Sequence, residues 1–444
     1  MNVTVHYQIR GDTSNQIAAS IEDAIRTGRL GAGDRLPTVR ALALRLKVSP
    51  TTVAAAYNSL RVRGLVHGAG RRGTVVNRRP ALATSIRSAL SKPRKGLRNL
   101  ADGGPDPAML PPLKPFLARL DGSPGQYGDD ENRPALVKLA TRQFKSDGIA
   151  VGELAIVSGA LSGIERVMQA YLSPGDIVAV EDPSYTGVLD LIAAMGLIAE
   201  PMALDDSGPL PDEMNRALRR GAKACIVTPR AQNPTGAALD KKRATELRPV
   251  LARYPQVVLI EDDHAGPAAG APAITLSRGV VRWALIRSVS KSLAPDLRVG
   301  VMAGDEQTIA RVHGRQSLGP RWVSHILQDL VALVWADPAT PHLLKTAALT
   351  YSRRRAALID SLAEHGIEAR GRSGLNVWIP VAEESAVVQA MAEKGWAIRA
   401  GESYRIKSGP AVRITVATLT PDESKRLAND LAAAIRPRSR VQTA

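Results

Sequence analysis

The chain has 444 residues, 44% of them hydrophobic, which exceeds a single typical domain and allows a sizeable core. Its formal net charge is +17, and the first 100 residues carry +14 of it, with 18 Lys and Arg against 4 Asp and Glu. The composition excludes disorder as the default state. Because Lys and Arg neutralise phosphates and release counterions, the asymmetry predicts a basic N-terminal module that binds nucleic acid.

The chain contains one cysteine, Cys225, which excludes an intramolecular disulfide framework and suits a reducing compartment. We expect this side chain to pack in a strand. The N-terminus lacks the pattern of a signal peptide, and no run of about 18 apolar residues occurs anywhere. These features predict a soluble cytoplasmic protein that does not enter a membrane.

Two helices are predicted at the start of the N-terminal module. Apolar residues recur at helical spacing from Thr13 to Thr27, and Gly28 breaks the pattern. Thr38, a residue type that often caps helices, precedes a short amphipathic helix that continues through residues 42–46. Both helices have an apolar side that can face a common core.

A turn, a third helix and a hairpin follow. Ser49 is predicted as the N-cap and Pro50 as the first position of a helix over residues 51–63, ended by Gly64. Short strands are then expected at residues 65–67 and 74–76, on either side of a glycine-rich tip. This order of elements is typical of a winged helix-turn-helix, whose third helix enters the major groove of DNA.

The N-terminal module resembles the GntR family over about residues 6–77. The resemblance is carried by GDRLPTVRALA at residues 33–43, VSPTTVAAAY at 48–57 and GTVV at 73–76. It implies phosphate contacts from arginines, base contacts from the start of the third helix and backbone or minor-groove contacts from the hairpin, whereas Tyr57 is expected in the core. The predicted DNA-binding residues are Arg35, Thr38, Arg40, Arg45, Ser49, Thr51, Thr52, Arg71 and Arg72.

Residues 78–100 are predicted to be a linker. They are basic and weakly periodic, with prolines at Pro80 and Pro93, and their charge suits further contact with DNA. The sequence thus predicts a DNA-binding domain at residues 1–77, this linker, and a larger domain at residues 101–444.

The larger domain alternates short apolar runs with segments of helical length, which predicts an α/β fold with a mostly parallel sheet covered on both faces. The expected strands are residues 154–157, 177–180, 224–227, 257–260 and 283–286. Loops at the carboxyl ends of such strands build ligand sites. The polar residues that follow the strands are Ser158-Gly159, Asp182 to Tyr185, Asn233, Asp262, and Ser288 to Lys291.

These residue types predict a site for pyridoxal phosphate (PLP). Lys291 would supply the amine for the internal aldimine, Asp262 would pair with the protonated pyridine, Asn233 would donate to the ring hydroxyl, and Tyr185 would cover one face of the ring. The phosphate would be held by side chains and by backbone N–H groups at a helix N-terminus. The predicted phosphate-binding residues are Ser288, Ser290 and Arg298, with the backbone of Gly159, Ala160 and Leu161.

Over roughly residues 100–436 the chain resembles fold type I aminotransferases, through NPTG at residues 233–236 and SVSK at 288–291. Together with the GntR-like module, this resembles the MocR family of transcriptional regulators. The resemblance implies a homodimer, commonly domain-swapped, with PLP bound at the lysine. TPRAQN at 228–233, EDDH at 261–264 and WVSH at 322–325 resemble the PtsJ-type members, which are tied to vitamin B6 metabolism and make PLP a candidate effector.

Several residues depart from the aminotransferase pattern or leave a choice open. His264 stands where a tyrosine usually donates to the ring oxygen, and Ala160 with Leu161 replaces a polar pair that often contacts the phosphate. Arg413 matches the arginine that binds a substrate carboxylate, so it is a candidate residue for an amino-acid substrate or effector. Spacing alone does not decide whether Asp262 or its neighbour Asp263 faces the pyridine, and we prefer Asp262.

Three functions fit the sequence. The first is a PLP-responsive, DNA-binding transcriptional regulator that senses PLP or a PLP-amine adduct at Lys291 and is linked to vitamin B6 metabolism. The alternative is a working PLP-dependent aminotransferase with an accessory DNA-binding domain. A third is a DNA-binding scaffold whose pocket does not react. We favour the first, in which catalysis is at most a half-reaction with amino acids.

Overall fold

The computed structural model describes residues 8–62, 65–68, 73–77, 96–121 and 125–435. The chain forms two compact units, one N-terminal and one comprising most of the remaining residues. Each has its own apolar core. The division at residues 77 and 100 stays a prediction, since residues 78–95 of the predicted linker lie outside the described part of the chain.

The N-terminal unit packs three helices against a two-stranded hairpin. Thr13 caps the first helix, and the Thr38 hydroxyl caps the second by accepting from the backbone N–H of Ala41 at 3.2 Å. The strands are antiparallel, with Val66 opposite Val76. The elements are α1 (Ser14–Arg26), α2 (Val39–Leu46), α3 (Pro50–Val62), β1 (Val66–Gly68) and β2 (Thr74–Val76).

The predicted order of elements in this unit is confirmed. Ser49 acts as the expected cap of α3, because its hydroxyl accepts from the backbone N–H of Thr52 at 3.1 Å. Tyr57 is a core residue, 2% exposed, and its hydroxyl donates to the carbonyl of Pro37. The predicted wing arginines Arg71 and Arg72 lie outside the described residues, as does Gly64.

The larger unit alternates strands and helices before ending in a smaller α/β part. Its first elements are β3 (Arg98–Asn99), α4 (Lys114–Leu117), α5 (Pro134–Ser146), β4 (Glu153–Val157), α6 (Ala160–Tyr171), β5 (Ile177–Asp182), α7 (Thr186–Ala194), β6 (Ile198–Asp205), β7 (Gly208–Pro209), α8 (Pro211–Arg219), β8 (Ala222–Val227) and α9 (Lys241–Ala252). They are followed by β9 (Val258–Asp263), β10 (Arg282–Ser288), β11 (Gly300–Gly304), α10 (Glu306–Ser317), α11 (His325–Ala336), α12 (Ala339–Ala363), β12 (Asn376–Pro380), α13 (Glu384–Glu393), β13 (Trp396–Ala397), β14 (Arg399–Ala400), β15 (Ala411–Thr415) and α14 (Pro421–Ile435).

An eight-stranded sheet forms the centre of this unit, in the order β4-β11-β10-β9-β8-β5-β6-β7. All five predicted strands are present, and the pairs β5 with β8, β8 with β9 and β9 with β10 are parallel as expected. The prediction missed β11, which runs antiparallel between β10 and β4. Its sequence GVMAG is short and glycine-bounded, so it lacks the apolar run that revealed the other strands.

A second sheet, ordered β12-β15-β14, lies in the C-terminal part of the chain. It shares an apolar core with α12, α13 and α14, in which Trp396 is fully buried. Residue Trp378 of β12 pairs with Arg413 of β15. This sheet therefore places Arg413, a predicted site residue, on a rigid strand.

Cys225 is fully buried in β8, as expected, and burial raises the pKa of its thiol. Among the described residues, none of the helices combines the length and the apolarity needed to cross a membrane.

Candidate functional site

Lys291 lies just after β10, in a tight turn that follows Ser288. Its Nζ donates a hydrogen bond of 2.7 Å to the carbonyl oxygen of Gly103. Burial, together with the positive charges of Arg413 and Arg298, lowers the pKa of the amine to about 8. The lowered pKa leaves a larger neutral fraction at pH 7 than an ordinary lysine has, and the neutral amine is the nucleophile.

Asp262 and Asp263 are the last two residues of β9 rather than loop residues, because the ladder with β10 continues to Asp263. The Asp263 carboxylate pairs with both Arg230 and Arg287 at 2.7 Å. Although burial opposes ionisation, these two arginines lower the pKa of Asp263 to about 2. Both carboxylate oxygens of Asp263 therefore accept hydrogen bonds from arginines.

The Asp262 carboxylate is in the opposite situation. It is 5% exposed, and its Oδ1 has no hydrogen-bond partner among the described residues. Burial, with repulsion from Asp263 and Glu181, raises its pKa to about 7. A buried carboxyl oxygen without a donor is costly, so this atom fits a ligand that brings an N–H group and a positive charge.

His264 follows β9 directly, and its Nδ1 lies 4.0 Å from Oδ2 of Asp262. Burial, reinforced by the charge of Lys291, lowers its pKa to about 4. The imidazole is therefore neutral at physiological pH, so it can donate one hydrogen bond and accept another.

Arg413 is 2% exposed and reaches two neighbours of the site. Its Nη1 donates to Oδ1 of Asn233 at 3.1 Å, and its Nη2 donates to the carbonyl of Ala101. The guanidinium lies over the ring of Tyr404, 5.1 Å from the centroid, and its Nε has no partner among the residues that the structure describes. This arginine therefore keeps one donor atom that no described residue uses.

The predicted phosphate end lies at the start of α6. Gly159 has φ 87° and precedes the helix without a side-chain cap, so an anion can approach the N–H groups of Ala160 and Leu161. The Gly159 N–H, in contrast, donates to the carbonyl of Val157 at 2.8 Å. A Cβ added at Gly159 would lie 3.3 Å from Nη2 of Arg298, which places this arginine beside the helix N-terminus. The hydroxyls of Ser288 and Ser290 are 3.0 Å apart.

Tyr185 and Leu161 meet over Gly187. A Cβ at Gly187 would lie 2.7 Å from the Tyr185 ring and 2.9 Å from the Leu161 side chain, so only glycine allows this approach. Burial, followed by the charge of Asp262, raises the pKa of Tyr185. The Tyr185 side chain is therefore uncharged at neutral pH, and it lies close enough to Asp262 to be affected by its charge.

The structure thus brings the predicted cofactor residues into one region. Asp262 and Arg298 both act on Tyr185, and Arg298 and Arg413 both act on Lys291. An acid without a donor, an amine, and an arginine beside a helix N-terminus suit PLP, which carries a protonated pyridine, an aldehyde and a phosphate. The predicted residues that these contacts link are Gly159, Ala160, Leu161, Tyr185, Asn233, Asp262, His264, Ser288, Ser290, Lys291, Arg298 and Arg413.

Several site residues were missed by the sequence analysis. Gly103 supplies the carbonyl that holds Lys291, Tyr404 supports Arg413, and Arg230 with Arg287 occupies Asp263. The run Gly103-Gly104-Pro105 signalled an unusual backbone, but its position far from the other motifs hid its role. Residue spacing along the sequence does not identify Tyr404, Arg230 or Arg287 as site residues.

The described candidate DNA-binding residues lie on the surface of the N-terminal unit. Arg35, Arg40 and Arg45 are exposed. At the start of α3 the Ser49 hydroxyl lies 2.6 Å from that of Thr51 and 2.8 Å from that of Thr52. The Ser49 hydroxyl caps α3, as the Thr38 hydroxyl caps α2.

Two family models match the chain. Residues 13–76 match bacterial regulatory proteins of the gntR family, and residues 119–431 match aminotransferase class I and II. The chain is 42% identical to the vitamin B6 salvage pathway transcriptional repressor PtsJ of Salmonella typhimurium, over 95% of this chain and 98% of that protein. It is also 26% identical to the HTH-type transcriptional regulator TauR of Rhodobacter capsulatus, over 82% of each chain.

Solved structures share the fold of the larger unit. An archaeal alanine:glyoxylate aminotransferase aligns with a TM-score of 0.72 at 21% identity, covering 81% of this chain and 96% of that one. The kynurenine aminotransferase of Pyrococcus horikoshii aligns with a TM-score of 0.69 at 22% identity, covering 77% and 91%. With both modules matched in order, the chain belongs to the MocR family, which joins a GntR-type DNA-binding module to an aminotransferase class I and II domain.

Proposed function

We propose that this protein is a PLP-responsive, DNA-binding transcriptional regulator linked to vitamin B6 metabolism, and that Lys291 carries the cofactor. The name of the PtsJ relative supports the link to vitamin B6. The observation that carries the cofactor assignment is the buried Asp262 Oδ1 without a donor, in the same region as a lysine whose pKa two arginines help to lower.

The contacts of the two neighbouring carboxylates favour Asp262 over Asp263 as the pyridine partner. Asp263 is held by two arginines, so its carboxylate has no room for a further donor from a ligand. A pyridinium N–H would donate to Oδ1 of Asp262. Its positive charge would offset the free-energy cost of burying this carboxylate in its ionised form. The electron-withdrawing pyridinium is the chemistry that PLP supplies when bound.

The other residues would orient the ring and hold its phosphate. Asn233 and the neutral His264 would hydrogen bond the ring hydroxyl, and Tyr185 would cover one face of the ring. The phosphate would be held by Arg298, by the N–H groups of Ala160 and Leu161, and by the hydroxyls of Ser288 and Ser290. Because Ala160 and Leu161 add no polar side chain, we expect a phosphate affinity that permits exchange of an effector.

The N-terminal unit would bind an operator through both charge and helix placement. Arg35, Arg40 and Arg45 would contact phosphates, and the N-terminal residues of α3 would reach base edges in the major groove. Arg71 and Arg72 of the predicted wing would add backbone contacts. For PLP to regulate this binding, it must prefer one arrangement of the protein, because equal affinity for two states shifts neither.

An aminotransferase activity is the second candidate, and Arg413 favours it. A buried guanidinium with an unpartnered Nε beside the lysine suits an amino-acid carboxylate. Amino acid added to the PLP-loaded protein should then convert the cofactor to its amine form. Sustained turnover with a keto acid would contradict a purely regulatory role.

The predicted homodimer is supported by an exposed apolar surface. Tyr127 is 84% exposed, and its ring packs edge-on against Trp322 with the ring centroids 5.8 Å apart. Ile326 is 62% exposed. Large apolar side chains left in solvent often mark protein interfaces. Light scattering on the full chain and on Tyr127→Asp should show a dimer that is weakened by the substitution.

The proposal is tested by PLP titration of the full chain, followed by borohydride reduction and peptide mass spectrometry. A saturable absorbance change, with the cofactor trapped on Lys291, supports the assignment. Attachment at another lysine, or no saturable binding, contradicts it. DNA binding to the protein's own promoter region with and without PLP then tests regulation.

A further inference from the structure

Lys291 is held by the backbone of a segment, residues 98–106, that sequence motifs did not point to. Its Nζ donates to the Gly103 carbonyl at 2.7 Å. Gly103 has φ 70°, and a Cβ added there would lie 3.2 Å from the Arg413 guanidinium. This position therefore requires glycine, both for its conformation and for the close approach of the arginine.

Thr415 fixes the orientation of Gly103. Its Oγ1 accepts from the Gly103 N–H at 3.1 Å and donates to Oδ1 of Asn376 at 3.0 Å. Thr415 is 6% exposed and lies at the end of β15, which makes it a rigid support. The Thr415 hydroxyl thus accepts one hydrogen bond and donates another. Its removal would leave the Gly103 N–H without this partner.

The segment 98–106 is anchored at both ends on the C-terminal part of the chain. Arg98 pairs with Glu423 at 2.8 Å, and Asp106 pairs with Arg354 at 2.8 Å. Between these anchors the carbonyls of Ala101 and Gly103 accept hydrogen bonds from Arg413 and Lys291. The middle of the segment thus contacts two cations of the candidate cofactor site, in addition to Thr415, which accepts from the Gly103 N–H and donates its own N–H to the Leu100 carbonyl.

We propose that Thr415 is a positioning residue that acts on Lys291 through the Gly103 carbonyl, and that this carbonyl competes with the cofactor for the lysine. The proposal rests on the cofactor role of Lys291 proposed above. When Nζ bonds to the aldehyde carbon of PLP, the aldehyde oxygen leaves as water and the amine no longer donates to Gly103. The segment 98–106 then loses its contact with Lys291 and keeps its contacts with Arg413 and Thr415.

The anchoring at both ends confines this change to the middle of the segment. Cofactor occupancy of Lys291 is thereby converted into a local backbone change around Gly103.

The first test measures Lys291 in the cofactor-free full chain. The Gly103 carbonyl favours the charged amine, so removal of its support should lower the pKa of Lys291 and raise its neutral fraction at pH 7 by roughly threefold. Reductive methylation by formaldehyde and cyanoborohydride, followed at the Lys291 peptide across pH, reports this directly. The variants are Thr415→Val, which lacks the hydroxyl, and Thr415→Ser, which keeps it.

Thr340→Val is the matched control, because Thr340 is also buried and bonds a backbone carbonyl, that of Val334 at 2.6 Å, in α12 away from Lys291. We expect faster methylation at lower pH for Thr415→Val only. An unchanged profile for Thr415→Val, or an equal shift in Thr340→Val, would overturn the positioning role.

The second test uses the wild-type chain and does not depend on a variant folding. Hydrogen exchange of peptides covering residues 98–106 should increase about tenfold with PLP and stay unchanged with pyridoxine 5'-phosphate, which lacks the aldehyde. Equal exchange with both compounds refutes the competition. Failure of PLP to attach to Lys291 refutes the proposed function instead, and leaves the methylation result as the test of Thr415.

Discussion

Replacement of Asp262 by Asn is expected to change cofactor affinity and protein stability in opposite directions. The variant keeps the shape of the side chain but loses the charge that would pair with the pyridinium. Loss of a charged hydrogen bond costs about 1.5–3 kcal/mol. The dissociation constant for PLP should therefore rise by roughly 10- to 150-fold.

The cofactor-free protein should instead gain stability. Burial and the neighbouring Asp263 and Glu181 raise the pKa of Asp262 from 3.8 to about 7, so the folded state binds this proton more tightly than the unfolded state. Stability from this group is then present below pH 4 and is lost as pH rises to 7. Each pKa unit corresponds to about 1.4 kcal/mol, so Asn at this position should recover up to about 4 kcal/mol above pH 7.

Tryptophan fluorescence during thermal unfolding of the full chain measures this effect. All five tryptophans lie between residues 283 and 396, so the signal reports the larger unit alone. The matched control is Asp263→Asn, which breaks two buried ion pairs and should destabilise by about 3–5 kcal/mol. A destabilised Asp262→Asn with unchanged PLP affinity would refute the assignment of this carboxylate.

Three further predictions concern other parts of the site and the DNA surface. Arg298→Ala should weaken PLP by about 10-fold or more while leaving pyridoxal, which has no phosphate, unaffected in parallel titrations; equal losses for both ligands would contradict a phosphate role. Lys291→Ala should abolish borohydride-trapped cofactor while DNA binding without PLP stays at the wild-type level in gel-shift assays. Arg40→Ala and Arg45→Ala should weaken binding to all DNA sequences and reduce the salt slope by about 0.9 each, whereas exposed Arg219→Ala of the larger unit should have no effect.

The sequence predicted the fold well where patterns are local and strongly periodic. The helices of the N-terminal unit were found from spacing and capping residues, with boundaries within a few residues of the observed ones. The five central strands were found because each is an apolar run buried on both faces. The antiparallel β11 was missed because glycines interrupt its run.

The site was predictable only where a residue type carries the chemistry. Lys291, Asp262 and Arg413 stand in distinctive motifs, and the structure places them in one region. Contacts made by the backbone were not predictable, since the Gly103 carbonyl has no sequence signature. The choice between Asp262 and Asp263 likewise needed the positions of Arg230 and Arg287, which are distant in sequence.

The central claim is that cofactor on Lys291 alters DNA binding. The most direct measurement is the affinity of the full chain for its own promoter region, with and without PLP, compared with Lys291→Ala under the same salt conditions. We predict that PLP changes the wild-type affinity at least several-fold and leaves Lys291→Ala unchanged. Equal affinity of the wild type with and without bound PLP, or the same response in both proteins, would contradict the account.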